Sequence, residues 1–229
     1  MSSSSSQKTY LSVLIMVFAI SLLSIQVNAK VKSAERSENP LNLQDGDLVF
    51  QRSASQLGPA LEIALGSVVT HVGIVFVDND SVFISEVHRS VRKTYFKKWM
   101  ARGVESKFAV MRLKDADSLL TDDKLAAIRE EIGKHEGMLN DTRFDWDDER
   151  FYCSELVRKA FERGAGIELG KFERLGDFKL DHELVQFWLD MYFPEGPDLD
   201  LKVVTPVSIY FDYKLETVYT TLPERGSTW

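Results

Sequence analysis

The 229-residue chain contains a single cysteine, Cys153, which excludes an internal disulfide. Positive charge is scarce as well: 28 Lys and Arg stand against 35 Asp and Glu, for a net charge of −7. A surface of that sign argues against nucleic acid or anionic lipid as a main partner. The glycines lie singly and form no phosphate-cradling loop. No His/Cys cluster has zinc spacing. The acids Asp145, Asp147, Asp148 and Glu149 lack the sixth-position Gly and late Glu of a calcium loop. We therefore expect no metal and no cofactor. There is no internal repeat, and no low-complexity tract beyond Ser2–Ser6.

Only one long apolar run occurs, from Leu11 to Ile25. It follows a polar start carrying Lys8 and leads to Val27-Asn28-Ala29, the layout of a secretory signal. The run falls short of the ~20 residues of a membrane span, so cleavage near Ala29 is expected over an uncleaved anchor. Export to the periplasm or the extracellular space follows, with no stable membrane span after processing. No cysteine follows the run, which excludes lipid attachment there. Removing residues 1–29 deletes Lys8 and no acid, leaving 27 basic against 35 acidic residues, or −8. The expected division is a signal segment at 1–29, a polar lead-in at 30–40, one domain at 41–220 and a tail at 221–229. A chain of this length can bury one full core. Its oligomeric state is left open.

An exported protein normally pairs its cysteines or lacks them, so a lone thiol is either a small buried hydrophobe or a reactive group. Local patterning separates the two. Asp45-Gly46-Asp47 reads as a turn into a strand at Leu48–Gln51. Leu57, Ala60, Leu61, Ala64 and Leu65 recur at helical spacing, with Gly66 as the stop. THVGIVFV at 70–77 predicts a buried strand, and 81–91 its hairpin partner. FAVMRL at 108–113 adds a strand. A helix runs from a Thr121 cap, through Leu125, Ile128 and Ile132, toward Gly137. A polar loop at 140–150 precedes a helix at 153–163 with Gly164 as its stop. Further helix is expected near 184–191, and two short strands within 201–219. Helices and strands are segregated, so the fold class is α+β.

Cys153 shares a helix face with Leu156, Val157 and Ala160, yet it stands in the first turn. Unpaired N–H groups there stabilise a thiolate and can hold an oxyanion. Such a nucleophile needs an imidazole, and the imidazole an orienting group. Of the four histidines, His135 reads as a solvated residue near a helix C-terminus, and His182 lies in the acidic stretch Asp181-His182-Glu183. His71 instead opens the most apolar strand, where a polar ring is costly without a partner or a function. Val82, Ile84, Glu86 and His88 share one strand face, which makes Glu86 a mid-strand carboxylate among apolar neighbours. It either pairs with Arg89 or Lys93 or orients His71. Trp99 and Trp146 read as packing residues.

These segments, taken in order, resemble the permuted papain-like amidases of the YaeF/YiiX type, relatives of the NlpC-type cell-wall peptidases. The likeness rests on QDGDLVFQ at 44–51, THVGIVF at 70–76, FISEV at 83–87, FDW…FYCSELVRKAF from Phe144 to Phe161, and VTPVSI at 204–209. It implies a circularly permuted papain-like fold, an antiparallel sheet with the cysteine helix packed against it. It also implies a Cys153–His71–Glu86 triad that cleaves amide bonds in cell-envelope peptides. Residues 165–200 match none of its motifs. Lecithin retinol acyltransferase-like proteins share the permuted layout, so a lipid acyl hydrolase or acyltransferase is the alternative. Their Asn-Cys-Glu-His type of motif differs from Tyr152-Cys153-Ser154-Glu155. A non-catalytic envelope binding module is a third reading.

Overall fold

A computed structural model describes residues 39–223 apart from Pro40 and Asp80. The expected signal segment, nearly all of the lead-in and most of the tail lie outside the described residues. Eight strands and seven α-helices are described, in the order β1 (Leu48–Ser53), α1 (Gly58–Leu65), β2 (His71–Asp78), β3 (Ser81–His88), β4 (Ser90–Tyr95), α2 (Phe96–Met100), β5 (Gly103–Leu113), α3 (Ala116–Leu119), α4 (Asp122–Lys134), α5 (Cys153–Ala165), β6 (Phe172–Arg174), α6 (Glu183–Tyr192), β7 (Lys202–Val204), α7 (Pro206–Tyr210) and β8 (Leu215–Thr220).

Six strands pair in the order β4-β3-β2-β1-β5-β8, with every pairing antiparallel. β2 lies inside this sheet and is apolar on both faces, because both faces are covered. Val72, Ile74 and Phe76 join a core with Ile128 of α4 and Leu156, Val157 and Phe161 of α5. Val75 joins a second core with Ile84, Phe96 and Trp99 on the opposite face. Burial of each such side chain is worth about 1.5–3 kcal/mol. The class is α+β, with the helix that begins at Cys153 packed against an antiparallel sheet.

Several local expectations change. The segment 81–91 is not one strand: the chain reverses at Arg89, whose φ is 63°, and β4 returns alongside β3 with His88 opposite Ser90. A continuous β-propensity run hid that turn, since Arg89 is not a usual left-handed residue. Thr121 has the extended backbone of an N-cap, but its side chain makes no capping hydrogen bond, and α4 ends at Lys134, before Gly137. Gly164 does not stop α5. It lies inside the helix, where an added Cβ would sit 2.6 Å from the Ile128 backbone N, so it allows α4 and α5 to approach closely. Gly166, with φ of 71°, is the actual C-cap.

Candidate active site

Cys153 is the first residue of α5, and Tyr152 is its N-cap in extended conformation. The Glu155 carboxylate accepts the Tyr152 N–H at 3.3 Å, satisfying one donor of the helix start. β7 clamps both flanks of the cysteine: Ser154 Oγ donates to the Val204 carbonyl at 2.7 Å, and the Val204 N–H donates to the Tyr152 hydroxyl at 3.2 Å. Cys153 is thus held, half-buried, at the helix start.

His71, the first residue of β2, is buried, and its ring lies close enough to Cys153 for each group to shift the other's pKa. Its Nε2 lies 2.8 Å from Glu86 Oε2. Glu86 comes from β3, whose register against β2 pairs Ile74 with Ser85. Its other oxygen accepts from Thr94 Oγ1 at 2.6 Å and from Arg102. The cations around Glu86 are therefore Arg102 and, at 3.8 Å, Arg92, rather than Arg89 or Lys93. Arg92 and Thr94 lie on β4, the strand that the uninterrupted reading of 81–91 obscured. Arg102 carries no sequence signal, because only the turn after α2 brings it to the carboxylate.

The charges reinforce one another. Burial alone pushes the Cys153 thiol up, but the hydrogen bond and charge of His71, together with N–H groups of Val72 and Ser154, bring it below its ordinary value. Burial pushes His71 down, yet hydrogen bonds to Cys153 and Glu86 raise it to about 9. Burial pushes Glu86 up, and the bond and charge of His71, with Arg102, hold it at about 2. These directions favour the charged forms of the thiol and the imidazole, backed by a carboxylate. Such a group can attack a carbonyl and then protonate the departing amine.

The remaining candidates lie elsewhere. His88 is half-buried beyond Glu86, and its pKa is lowered by burial and then by the charge of Arg102. His135 is not solvated: it is buried, 3.3 Å from Glu131 and with its ring centroid 4.3 Å from that of Phe151. The loop before α5 folds back to cover it. His182 caps α6, its Nδ1 accepting the Leu184 N–H at 3.1 Å. Trp99 is fully buried under the sheet, its ring centroid 6.4 Å from that of His71, and Trp146 packs edge-on against Phe172.

Cys153 also lines an apolar cleft of about 830 Å³ that is partly open to solvent. α1 forms one wall. Much of the opposite wall comes from Leu175, Phe178 and α6, within the stretch 165–200 that carried no recognisable motif. Sequence reasoning missed this feature, whose sole signal is the apolar spacing of Val185, Trp188, Leu189 and Tyr192.

Comparison with known proteins bears on the same segments. The profile of the family described as "Permuted papain-like amidase enzyme, YaeF/YiiX, C92 family" matches residues 42–219. The "Uncharacterized protein YiiX" of Escherichia coli (strain K12) is 30% identical over 175 residues, covering 76% of this chain and 85% of that protein. A crystal structure of yiiX from Escherichia coli O157:H7, described there as a metalloprotein, superposes with a TM-score of 0.73 at 29% identity, covering 79% of this chain and 98% of that one. Among the described residues of the present chain, no three His, Cys, Asp or Glu side chains gather as a ligand set. Both Glu86 oxygens are already engaged by His71, Thr94 and Arg102, so Cys153, His71 and Glu86 stand in series and do not converge on a metal. With the sheet, the cysteine helix and the motifs in one order, the chain belongs to the family of permuted papain-like amidases of the YaeF/YiiX type.

Proposed function

We propose that this chain hydrolyses amide bonds in molecules of the cell envelope after export, with Cys153 as nucleophile, His71 as base and acid, and Glu86 as the orienting carboxylate. The observation that carries this reading is the buried His71 ring, 2.8 Å from Glu86 Oε2 and close enough to Cys153 for its charge to lower the thiol pKa. Sγ attacks the carbonyl carbon, and the first-turn N–H groups of α5 stabilise the oxyanion. The C–N bond breaks as His71 gives its proton to the amine, leaving a thioester. Water then loses a proton to His71 and attacks, releasing the carboxylic acid and restoring the thiolate. The export half of the proposal rests on the apolar run Leu11–Ile25.

Three measurements test it. After incubation with envelope extract, intact mass should reveal an acyl adduct that disappears in Cys153→Ala and on hydroxylamine treatment. Iodoacetamide should label Cys153 well below pH 8, and a labelling curve matching that of a free thiol would overturn the reading in favour of a binding module. Protein recovered from the envelope fraction should lack residues 1–29, and an intact Met1 there would sink the cleavage proposal.

A further inference from the structure

We infer that Arg102 is a positioning residue of the site: its charge keeps Glu86 ionised, and through Glu86 it keeps a proton on His71; the inference rests on the Cys153–His71–Glu86 reading above. His71 and Glu86 are buried, and Cys153 is half-buried. A thiolate at one end and a carboxylate at the other share one imidazolium, which leaves an excess negative charge in a poorly solvated place. Such an excess is relieved by protonation unless a further cation offsets it. Arg102 supplies that cation, because a guanidinium stays charged wherever carboxylates and imidazoles titrate. Its charge is one of the influences that hold the Glu86 carboxyl low.

The surroundings of Glu86 single out Arg102 for this task. His71 of β2 meets Oε2 at 2.8 Å. Thr94 of β4 donates to Oε1 at 2.6 Å but carries no charge. Arg92 of β4 stays 3.8 Å away, spends its Nε on Thr94 at 3.1 Å, and has a side chain 43% exposed, so water screens it. His88 of β3 is discouraged from protonating by burial and by both arginines. Arg102 donates directly to Oε1, and Glu86 is its one ion-pair partner among the described residues. The backbone on both sides of Arg102 is fixed beside His71. The Arg102 N–H donates to the Trp99 carbonyl at 3.1 Å, and Trp99 is fully buried with its ring centroid 6.4 Å from that of His71. Gly103 packs so closely that an added Cβ would lie 2.7 Å from Gln51 Oε1, and Gln51 is the register partner of His71. The guanidinium is thus delivered to Glu86 by the same framework that carries the imidazole.

The test follows iodoacetamide labelling of Cys153 against pH in the full chain, which needs neither substrate nor turnover. Arg102→Met removes the charge and the bond, whereas Arg102→Gln keeps a donor for Glu86 Oε1 and loses the charge. In both, the low-pH onset of labelling should move up by about 1–3 pH units, the usual effect of an adjacent opposite charge on a carboxylate. Arg102→Lys should restore most of that shift, and Arg92→Met should produce a smaller one. Infrared difference spectra against Glu86→Gln should show the carbonyl stretch of a protonated Glu86 in the neutral variants at a pH where the parent shows none. The Arg102 side chain is partly exposed, so a small cation can reach its place. Arg102→Ala should therefore regain the parental onset in methylguanidinium but not in methylurea, a neutral molecule of similar shape. Urea unfolding of each variant separates loss of fold from loss of charge. A parental onset in Arg102→Gln, or rescue by methylurea, would assign the effect to the bond and overturn the inference. A parent whose labelling matches a free thiol sinks the hydrolytic reading instead, and the infrared spectra still decide whether Arg102 keeps Glu86 ionised.

Discussion

Glu86 Oε2 meets His71 Nε2 at 2.8 Å, while Glu86 Oε1 is held by Thr94 and Arg102, so the acid cannot turn away from the imidazole. Replacing it should leave a sheet whose histidine has lost its anchor and its counter-charge. Glu86→Gln is expected to lower kcat by up to roughly four orders of magnitude, the loss seen on removing an orienting acid from a related triad. His88→Ala, further along the same strand face, should stay within a fewfold of normal. Steady-state rates on one amide decide it: a near-normal Glu86→Gln with an inactive His88→Ala reverses the assignment.

The pH dependence follows from the same contacts. His71 is raised from 6.5 to about 9, so its contribution to stability is complete below pH 6.5 and disappears as pH rises through 9. Glu86 is lowered from 4.5 to about 2, so its contribution is present above pH 4.5 and is lost as pH falls toward 2. Amide hydrolysis should therefore be level through neutral pH and decline above about 9, as His71 loses the proton it gives to the amine. Alkylation of Cys153 should not decline there, because the thiolate persists. Parallel decline of both rates would contradict this pairing.

Gly73 leaves the space between β2 and β3 that His71 and Glu86 use. A Cβ at that position would lie 2.5 Å from Ile84 Cγ2 and 3.1 Å from the Ser85 carbonyl. Gly73→Ala should cost about 1–3 kcal/mol, the usual penalty of overpacking, and should weaken the low-pH labelling of Cys153. Urea unfolding measures the first effect, and an unchanged midpoint would show that the strands separate freely.

Behind the site, Lys159 Nζ sits 2.7 Å from Glu155 Oε1, with both side chains buried. Burial dominates Glu155, raising it to about 8 despite the lysine. Lys159→Met leaves the buried Glu155 carboxyl without its cation and should destabilise by about 3–5 kcal/mol at most, whereas Glu155→Gln, which leaves Lys159 its other bonds, should cost less. The double variant should be much closer to the parent in urea unfolding. Additive losses would mean that Lys159 acts mainly through its bonds to the Asp147 carbonyl and Asp148.

The three candidate residues stand out singly in the sequence because each breaks a local rule: an imidazole opening an apolar strand, a carboxylate mid-strand, a thiol in a first helical turn. Alternation and helical spacing also place most strands and helices, since those periods follow from backbone geometry alone. Other features look the same in sequence whichever way the chain packs. Glu155 and Lys159 have the i,i+4 spacing of an ordinary solvated pair, and only the loop at 140–151 and β7 packing over α5 bury them. Arg89 carries no turn signal, so β4 and its Thr94 contact were missed. The cleft draws its walls from residues 57–65, 175–193 and 203–206. Contacts between segments so far apart in the chain are decided by how whole elements pack, and no local pattern records them.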